Sequence, residues 1–490
     1  MNIDQRLEGR IQEKLGLNAE TRIELWMRLA KVIERYVAEL PRTRVAPEVD
    51  MEKIRSLLAP LDFTRPLDPL DAVDFVARNL WDYQVHTPHP RYFGLFNPAP
   101  TTMGIVADTL VATFNPQLAG SNHSPFAIEV EQHLIRSFAR KFGYEAADAD
   151  GAFTSGGAEA NHTALLTGLV HKFPEFARTG MRGLDRQPTL YVSTQTHHSF
   201  IKAAPACGLG SEAVRQVPVD GALQMDVEAL AEQIARDRAA GFAPYLVVAT
   251  AGTTNAGVID PIERIAEVAA HERLWLHTDA SWGGAAALVP DLRHLLQGIE
   301  QSDSITFDAH KWLSVPMGAG LYLTRHRSIL EQAFHIKTDY MPISVSGPNV
   351  VEPYTHSIQW SRRFIGLKVF LSLLVAGWDG YAAVIKHQAT MGELLRQALE
   401  ASRWMVVNQT KLPVVCFVDR QTPEPESGAI IDTVARKVVS SGEVWISTTR
   451  LNKGLSVLRA CITNYRTDSK DIEALICALD KARTEFYGKV

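Results

Sequence analysis

Residues 304–316 read SITFDAHKWLSVP, and the fold of this chain is predicted from the pattern that they set. A short run rich in Ile, Thr and Phe predicts a buried strand that ends at Asp308. The chain then places His310 and Lys311 before it becomes apolar again at Trp312. A lysine between apolar residues either extends its amine to water or is desolvated for a chemical purpose. The neighbouring segments decide between these two explanations.

Short apolar runs of the same kind recur between about residues 145 and 325. The strand candidates are GAFT, TLYVST, YLVVAT, LWLHTD, SITFD and AGLYLT. Helical stretches such as MDVEALAEQIARDRAAG and PIERIAEVAAHER separate them. In the second stretch, Asp260 is expected to be an N-cap, Pro261 the first helical residue and Glu263 the partner in a capping box. Strands that alternate with helices predict an α/β fold with a mostly parallel sheet and flanking helices.

The sequence as a whole predicts that the chain is divided into three structural parts. Residues 1–95 form a helical N-terminal segment, in which ETRIELWMRLAKVIERYVAEL is the clearest amphipathic helix. Residues 96–375 form the large α/β domain, which includes a long loop at 340–360. Residues 376–490 form a small α+β domain that ends in a helix over DSKDIEALICALDKARTEF.

Composition limits the class of protein. Apolar residues make up 46% of the chain and charged residues 21%, as in ordinary globular proteins. The net charge of -5 and the lack of a basic run argue against nucleic acid or membrane as a partner. The four cysteines are dispersed, and the N-terminal stretch MNIDQRLEGRIQEKLG has no apolar segment of a signal peptide. The longest apolar run, VFLSLLVAGW, is too short to span a bilayer. These observations predict a cytoplasmic protein.

Polar groups follow the predicted strands, and ligands of α/β proteins bind beyond the carboxyl ends of strands. These groups are Ser155-Gly156-Gly157-Ala158, His197-His198, Thr253-Thr254, Asp279-Ala280-Ser281 and Asp308-Ala309-His310-Lys311. Each group alone has an ordinary explanation as a turn, a helix cap or a hydrogen-bonded partner. Their common position at one edge of the sheet predicts a site.

The chemistry of these groups together suits pyridoxal 5'-phosphate. The helix start at Gly156 and Gly157 frees backbone N–H groups for a phosphate. His197 offers a flat imidazole for the pyridine ring, and Asp279 offers a carboxylate for the ring nitrogen. A desolvated Lys311 would hold the cofactor aldehyde as an imine.

The chain also resembles the group II pyridoxal-phosphate-dependent amino acid decarboxylases, which include aromatic-amino-acid, glutamate and diaminobutyrate enzymes. The resemblance rests on HPRYFG, SPFAIEVE, SGGAEAN, STQTHHS, AGTTNAGVIDP, LWLHTDASWGG, DAHKW and LRACITNYRT. It implies the fold type I architecture of pyridoxal-phosphate-dependent transferases. It also implies a homodimer whose active sites are shared between subunits, with the N-terminal helices packed at the interface.

Individual roles follow from that resemblance. Lys311, Asp279 and His197 match the imine lysine, the carboxylate on the ring nitrogen and the ring-stacking histidine. The other expected cofactor-binding residues are Gly156, Gly157, Ala158, Thr254, Ser281 and His310, and no metal ligand is expected. A loop tyrosine of the family protonates the α-carbon, and it aligns with Tyr354, with Tyr340 as the competitor.

Two positions depart from the family pattern. Many members have Asn-Pro where this chain has Asp308-Ala309, and a second negative charge close to a phosphate is unfavourable. We therefore expect Asp308 not to contact the phosphate directly. His198, directly after the stacking histidine, is also atypical and faces either the substrate or the surface.

The predicted reaction is α-decarboxylation of an L-amino acid to an amine and carbon dioxide. The alternatives on the same cofactor are a lyase reaction, oxidative deamination to an aldehyde, and transamination, for which Arg459 would grip the α-carboxylate. A metallohydrolase using His277, Asp279 and His310 lacks a metal-binding spacing, and a non-catalytic holder of the cofactor is the third class. The segments at Tyr92-Phe93 and 122–126 favour an aromatic or apolar side chain on the substrate.

Overall fold

The structure is a computed structural model that describes residues 5–338, 350–421 and 427–488 of the 490-residue chain. A helical segment comes first, followed by a short strand. Its elements are α1 (Gln5–Gly16), α2 (Ala19–Glu39), α3 (Met51–Leu58), α4 (Pro69–Asp82) and β1 (Tyr92–Phe93). Helix α2 packs against α4, yet neither helix buries a residue completely. Apolar side chains such as Ile23, Trp26 and Met27 are exposed, so this segment presents an apolar face that its own chain does not cover.

The large domain is built on a seven-stranded sheet. Its strands are β2 (Asp150–Thr154), β3 (Pro188–Ser193), β4 (Val214–Val217), β5 (Ala243–Thr250), β6 (Trp275–Asp279), β7 (Ser304–Asp308) and β8 (Gly320–Thr324). The spatial order is β2-β8-β7-β6-β5-β3-β4. Strands β4, β3, β5, β6 and β7 are parallel, and β8 runs antiparallel to both of its neighbours. The predicted mostly parallel α/β sheet is therefore confirmed.

Helices precede, connect and flank these strands. They are α5 (Thr102–Phe114), α6 (Pro125–Lys141), α7 (Gly157–Lys172), α8 (Phe176–Thr179), α9 (Ser199–Ala206), α10 (Val227–Ala239), α11 (Ile262–Glu272), α12 (Pro290–Arg293) and α13 (Ile329–Phe334). Short 3₁₀ helices lie at Leu40–Arg42, Gly180–Gly183, Ser211–Ala213, Gly283–Leu288, His294–Leu296, Ile299–Gln301, Pro353–Thr355 and Asn452–Gly454. Phe138, Phe307 and Trp312 are among the large side chains buried in the core.

The predicted capping box at the start of α11 is wrong. Asp260 is buried, and its Oδ1 and Oδ2 accept hydrogen bonds from the backbone N–H groups of Met225 and Thr250, each at 2.8 Å. The helix begins after Pro261 without a side-chain cap. The carboxylate of Asp260 therefore ties two distant segments to the sheet instead of capping the helix.

The small domain contains a second sheet. Its elements are α14 (Leu367–Glu400), β9 (Trp404–Val406), β10 (Val414–Asp419), α15 (Ser427–Ser441), β11 (Trp445–Arg450), β12 (Ser456–Cys461) and α16 (Ser469–Tyr487). The strand order is β1-β11-β12-β10-β9. Strand β1 comes from the end of the N-terminal segment and pairs in parallel with β11. The three-part division with boundaries after residues 95 and 375 stays a proposal.

Helix α14 is longer than the sequence predicted. The apolar run VFLSLLVAGW belongs to a 34-residue helix that is long and apolar enough to cross a membrane by length and composition alone. Its backbone leaves helical geometry at Gly377, where φ is 66°. The helix packs against α5, α6 and α16, so we assign it to the folded body of the protein.

Candidate active site

Three neighbouring parallel strands end in polar residues at one edge of the large sheet. Thr250 at the end of β5 pairs in register with Asp279 at the end of β6. Asp279 in turn pairs with Thr306, two residues before Asp308 ends β7. The structure therefore brings the predicted strand-end groups to the same edge, where ligands of α/β proteins bind.

Asp279 is a buried carboxylate surrounded by hydrogen-bond donors. Its Oδ1 accepts from the backbone N–H of Ser281 at 3.1 Å and from the Ser281 hydroxyl at 2.6 Å. Its Oδ2 accepts from Asn161 Nδ2 at 2.9 Å. Burial acts to raise the pKa of Asp279, but the charge of Lys311 and these hydrogen bonds outweigh it and lower the pKa. Asp279 is therefore held as an anion.

Asn161 is a site residue whose role the sequence reasoning missed. Its Nδ2 donates to both Asp279 and the Ser199 hydroxyl, while its Oδ1 lies 3.2 Å from His277 Nε2. His277 Nδ1 lies 2.8 Å from the Ser304 hydroxyl. Burial lowers the pKa of His277 to about 4, so the ring is neutral near pH 7. Asn161 stands four residues after Gly157 in SGGAEAN, and this helical spacing is the signal that could have indicated it.

His277 is therefore a structural partner of Asn161. Among the residues that the structure describes, no group of three or more His, Cys, Asp or Glu side chains could hold a metal ion. The metallohydrolase alternative, with His277, Asp279 and His310 as ligands, has no support from this part of the chain.

Lys311 follows β7 and is held between buried apolar neighbours. Phe307 and Trp312 are buried, whereas the Lys311 side chain keeps 24% of its surface exposed. Its Nζ lies 2.9 Å from Asp308 Oδ2 and 6.0 Å from the centroid of the Phe96 ring. The amine is thus held at the sheet edge by Asp308, beside the Phe96 ring.

The start of α7 has the form of an anion-binding turn. Gly156 is the N-cap residue and supplies no side-chain cap, so the first N–H groups of the helix are not occupied by a capping side chain. A Cβ atom at Gly157 would lie 2.6 Å from Ser281 Oγ and 2.7 Å from Asp308 Oδ2. The turn therefore packs directly against the ends of β6 and β7, and Ala158 follows it in the first turn.

The remaining predicted cofactor residues are His197, His310 and Thr254, of which His310 lies next to this turn. His197 is exposed and its Nδ1 accepts from the Ser199 N–H at 3.3 Å. Although the His197 side chain is exposed, partial desolvation of its ring is the main cause that lowers its pKa, and burial is the main cause for His310. His310 Nδ1 accepts from the Ala319 N–H, and the Thr254 carbonyl accepts from Arg459. Both histidines are therefore neutral near pH 7.

The loop tyrosines are only partly described. Tyr354 is half-buried, donates its backbone N–H to Ala119 O at 3.1 Å, and packs its ring on Trp360 with centroids 5.2 Å apart. These contacts do not place Tyr354 against Lys311. Tyr340 lies outside the described residues.

Phe96 is a buried aromatic residue beside Lys311, and the sequence reasoning did not single it out. Its ring stacks on Trp282 with centroids 4.6 Å apart and has Lys311 on one side. The Arg459 guanidinium lies 5.1 Å from the same ring. Phe93 is completely buried and Tyr92 packs on Trp445, so these two residues belong to the core.

Arg459 is buried and donates from Nε to Thr254 O at 2.9 Å and from Nη1 to Gly94 O at 2.6 Å. Its Nη2 is buried and has no hydrogen-bond partner among the described residues. The donor set fits pyridoxal phosphate: an open helix start for the phosphate, an anionic Asp279 for the ring nitrogen, and a primary amine in the cleft.

Comparisons with known proteins agree with this chemistry. Residues 23–420 match the model of the pyridoxal-dependent decarboxylase conserved domain. An aromatic-L-amino-acid decarboxylase of Bacillus atrophaeus is 32% identical over 94% of this chain and 95% of its own. An acidic amino acid decarboxylase of Mus musculus is 26% identical over 88% of this chain and 80% of its own.

The overall fold of the chain also matches that of solved protein structures. A crystal structure of the Oryza sativa TDC with PLP and tryptamine superposes with a TM-score of 0.89 at 23% identity, covering 96% of this chain and 99% of that one. Together with the family match, this agreement in fold identifies the architecture as fold type I. The chain belongs to the pyridoxal-dependent decarboxylase family and is a pyridoxal-phosphate-dependent amino acid decarboxylase.

Proposed function

We propose that this enzyme decarboxylates an L-amino acid with an aromatic or apolar side chain, with Lys311 as the residue that binds the cofactor aldehyde. The observation that carries the proposal is the position of the Lys311 amine, which faces the Phe96 ring beside the anionic Asp279 and the open start of α7. These groups are the minimum that the cofactor needs from the protein.

When bound, pyridoxal phosphate supplies a conjugated ring that accepts the electron pair left at the substrate's α-carbon. Asp279 would hold a proton on the ring nitrogen, and Ser281 and Asn161 keep its carboxylate ionised and oriented. The neutral His197 would stack on the ring without adding a charge. The N–H groups at Gly157 and Ala158 would bind the phosphate, with Thr254 and His310 close to the cofactor.

The preference for an aromatic or apolar side chain rests on the stacked pair of Phe96 and Trp282. Phe96 is 7% exposed and lies 6.0 Å from the Lys311 amine, so it would offer apolar contact to a substrate ring, with the buried Trp282 packed against it. The similarity to an aromatic-amino-acid decarboxylase over nearly the whole chain supports the same preference.

Transamination is the second candidate, because one observation favours it. The buried Nη2 of Arg459 lacks a partner in the described part of the chain and lies near Phe96, where a carboxylate would satisfy it. An arginine bound to the α-carboxylate would stabilise the group that a decarboxylase must lose. If Arg459 instead binds a side-chain carboxylate, the substrate is acidic, as for the mouse relative.

The proton that replaces carbon dioxide requires a donor, and we assign it to Tyr354. Its backbone is anchored to Ala119, and its ring packs on Trp360 at the end of the 340–360 loop. Movement of the described residues 350–360 would bring the phenol towards the α-carbon and exclude water.

We further propose that the enzyme is a cytoplasmic homodimer. Helix α14 packs against α5 and α6, and each of these helices exposes a large apolar side chain, with Phe114 78%, Phe126 71% and Leu374 63% exposed. Such a face is typical of a subunit interface. Segment 122–126 lies at this face, so each subunit would contribute it to the other's site. The buried free thiols of Cys207, Cys416 and Cys461 fit a reducing compartment.

The test uses purified protein, added pyridoxal phosphate and a panel of aromatic, aliphatic and acidic L-amino acids, with the products followed by mass spectrometry. We expect amines from aromatic or apolar substrates. A keto acid would identify a transaminase and make Arg459 the central residue. Amines from acidic substrates alone would reverse the predicted side-chain preference, and an aldehyde would identify oxidative deamination.

A further inference from the structure

Asp308 carries a buried carboxyl group whose two oxygens have different surroundings. Its Oδ2 lies 2.9 Å from Lys311 Nζ, and the residue is 1% exposed. Its Oδ1 is buried and has no hydrogen-bond partner among the described residues. An unsatisfied oxygen on a buried carboxyl group is costly, so a new hydrogen-bond partner at Oδ1 would be favourable.

The same carboxyl group lines the turn at the start of α7. Asp308 Oδ2 would lie 2.7 Å from a Cβ at Gly157, and the Asp308 N–H donates to Ser281 O at 2.8 Å. A phosphate bound at this turn would meet a carboxylate at short range, and two negative charges there repel each other. The sequence reasoning expected Asp308 to avoid the phosphate, but the backbone holds it beside that turn.

The charged and titratable groups around Asp308 come from several elements. His310 Nε2 lies 4.0 Å from Oδ2, and the pKa of His310 is lowered chiefly by burial. The charge of Lys368 on α14 contributes to lowering the pKa of His310. The charge of Lys311 acts to lower the pKa of Asp279 on β6 and that of His197 in the loop before α9. Within the described ranges, Lys311 is the cation in hydrogen-bond contact with Asp308.

We propose that Asp308 accepts the proton that Lys311 must lose when its amine attaches to the cofactor, and then faces the phosphate as a neutral carboxyl group. The ammonium nitrogen forms a double bond to the aldehyde carbon, and the aldehyde oxygen leaves as water with two of the ammonium protons. The third proton moves to Asp308 Oδ2, so atoms and net charge balance. The same transfer makes the amine nucleophilic and removes the repulsion at the phosphate turn. Because Asp308 acts through Lys311, it is a positioning residue, and this inference rests on the proposed role of Lys311.

The test measures how fast the cofactor-free full chain attaches pyridoxal phosphate, from the visible absorbance of the bound cofactor between about pH 6.5 and about pH 8.5. For the unchanged chain we expect a rate that varies less than about threefold across this range, because the proton acceptor is internal. For Asp308→Asn we expect a rate about a hundredfold lower at the acid end, which rises about tenfold per pH unit and so approaches that of the unchanged chain at the alkaline end. Asp291→Asn, which removes an exposed carboxylate paired with Lys386, should behave like the unchanged chain.

The inference would be overturned by an Asp308→Asn profile equal to that of the unchanged chain, or by a slowing that is the same at every pH. Asparagine occurs at this position in many family members, so the variant should fold, and Asp308→Ala serves as a second variant. A rate in the unchanged chain that itself rises about tenfold per pH unit would also overturn the inference without any variant. Attachment to Lys311→Ala would instead contradict the proposed function.

Discussion

Asn161 donates a hydrogen bond from Nδ2 to Asp279 Oδ2 across 2.9 Å, and both side chains are buried. The same amide group also bonds the Ser199 hydroxyl and lies against His277. Asn161 therefore connects the carboxylate assigned to the cofactor ring with β6, β7 and the start of α9. It fixes the orientation of Asp279 and helps to keep it ionised.

Replacing Asn161 with Ala should lower both stability and cofactor affinity. The change leaves Asp279 Oδ2 without this donor, and the loss of a buried hydrogen bond costs about 1–3 kcal/mol. We expect a lower free energy of unfolding in urea and a cofactor dissociation constant raised about tenfold. Gln397→Ala removes an exposed amide that pairs with Glu393 and is the matched control. Unchanged cofactor affinity in Asn161→Ala would contradict the role given to this residue.

Replacing Phe96 with Ala should change the choice of substrate. The ring stacks on Trp282 and faces Lys311, so its loss removes apolar contact area for an aromatic side chain. We expect kcat/KM for the preferred aromatic amino acid to fall about 10- to 200-fold, with a smaller loss for a small aliphatic substrate. Phe96→Leu keeps an apolar side chain and should retain more activity. An equal loss for every substrate would mean that Phe96 only supports the fold.

The pair of His356 and Asp150 predicts a pH-dependent stability. Their side chains lie 3.5 Å apart. Burial lowers the pKa of His356, but the hydrogen bond and charge of Asp150 outweigh burial and raise the pKa above 6.5. The pair therefore stabilises the folded chain fully below pH 6.5, and the contribution is lost as the pH rises through the raised value.

Thermal unfolding of His356→Gln checks this expectation. The variant should be destabilised more at about pH 6 than at about pH 9, because the charged pair exists only at the lower pH. His294→Gln, at an exposed histidine that has no carboxylate partner among the described residues, is the control. A destabilisation of the same size at both pH values would refute the assignment.

The exposed apolar face predicts the oligomeric state. Light scattering of the purified chain should give twice the mass of one subunit. Introducing charge with Phe126→Asp and Leu374→Asp should yield monomers with much lower activity, because segment 122–126 would no longer reach the partner's site. Met405→Asp alters an exposed apolar residue of strand β9 and should leave the dimer intact. A monomeric unchanged chain with full activity would exclude the shared site.

Local patterns were sufficient to predict six of the seven strands in the large sheet. Strand β4 was missed because Arg215 and Gln216 interrupt its apolar pattern, and it pairs only with β3 at the edge of the sheet. Asp260 has the local signature of a helix cap, but its partners are the distant N–H groups of Met225 and Thr250. Sequence spacing carries no information about such distant donors.

In the candidate site, too, local sequence predicts the positions of some residues, whereas the positions of others depend on contacts between distant parts of the chain. Asp279 and Lys311 follow apolar runs directly, so their position at the sheet edge was predictable. Phe96 lies in an aromatic loop beside Tyr92 and Phe93, and only the packing on Trp282 distinguishes the ring that faces the site. The Lys311–Asp308 contact depends on the turn after β7, which residue spacing does not determine.

The most direct measurement uses an amino acid labelled with ¹³C at the α-carboxyl carbon, chosen from the panel as the best substrate. Labelled carbon dioxide and unlabelled amine are quantified for the unchanged chain and for Lys311→Ala. Each protein is supplied with pyridoxal phosphate and checked to be folded. We predict equal amounts of carbon dioxide and amine from the unchanged chain and no turnover from Lys311→Ala. Full turnover by Lys311→Ala, or a keto acid that retains the label, would contradict the account.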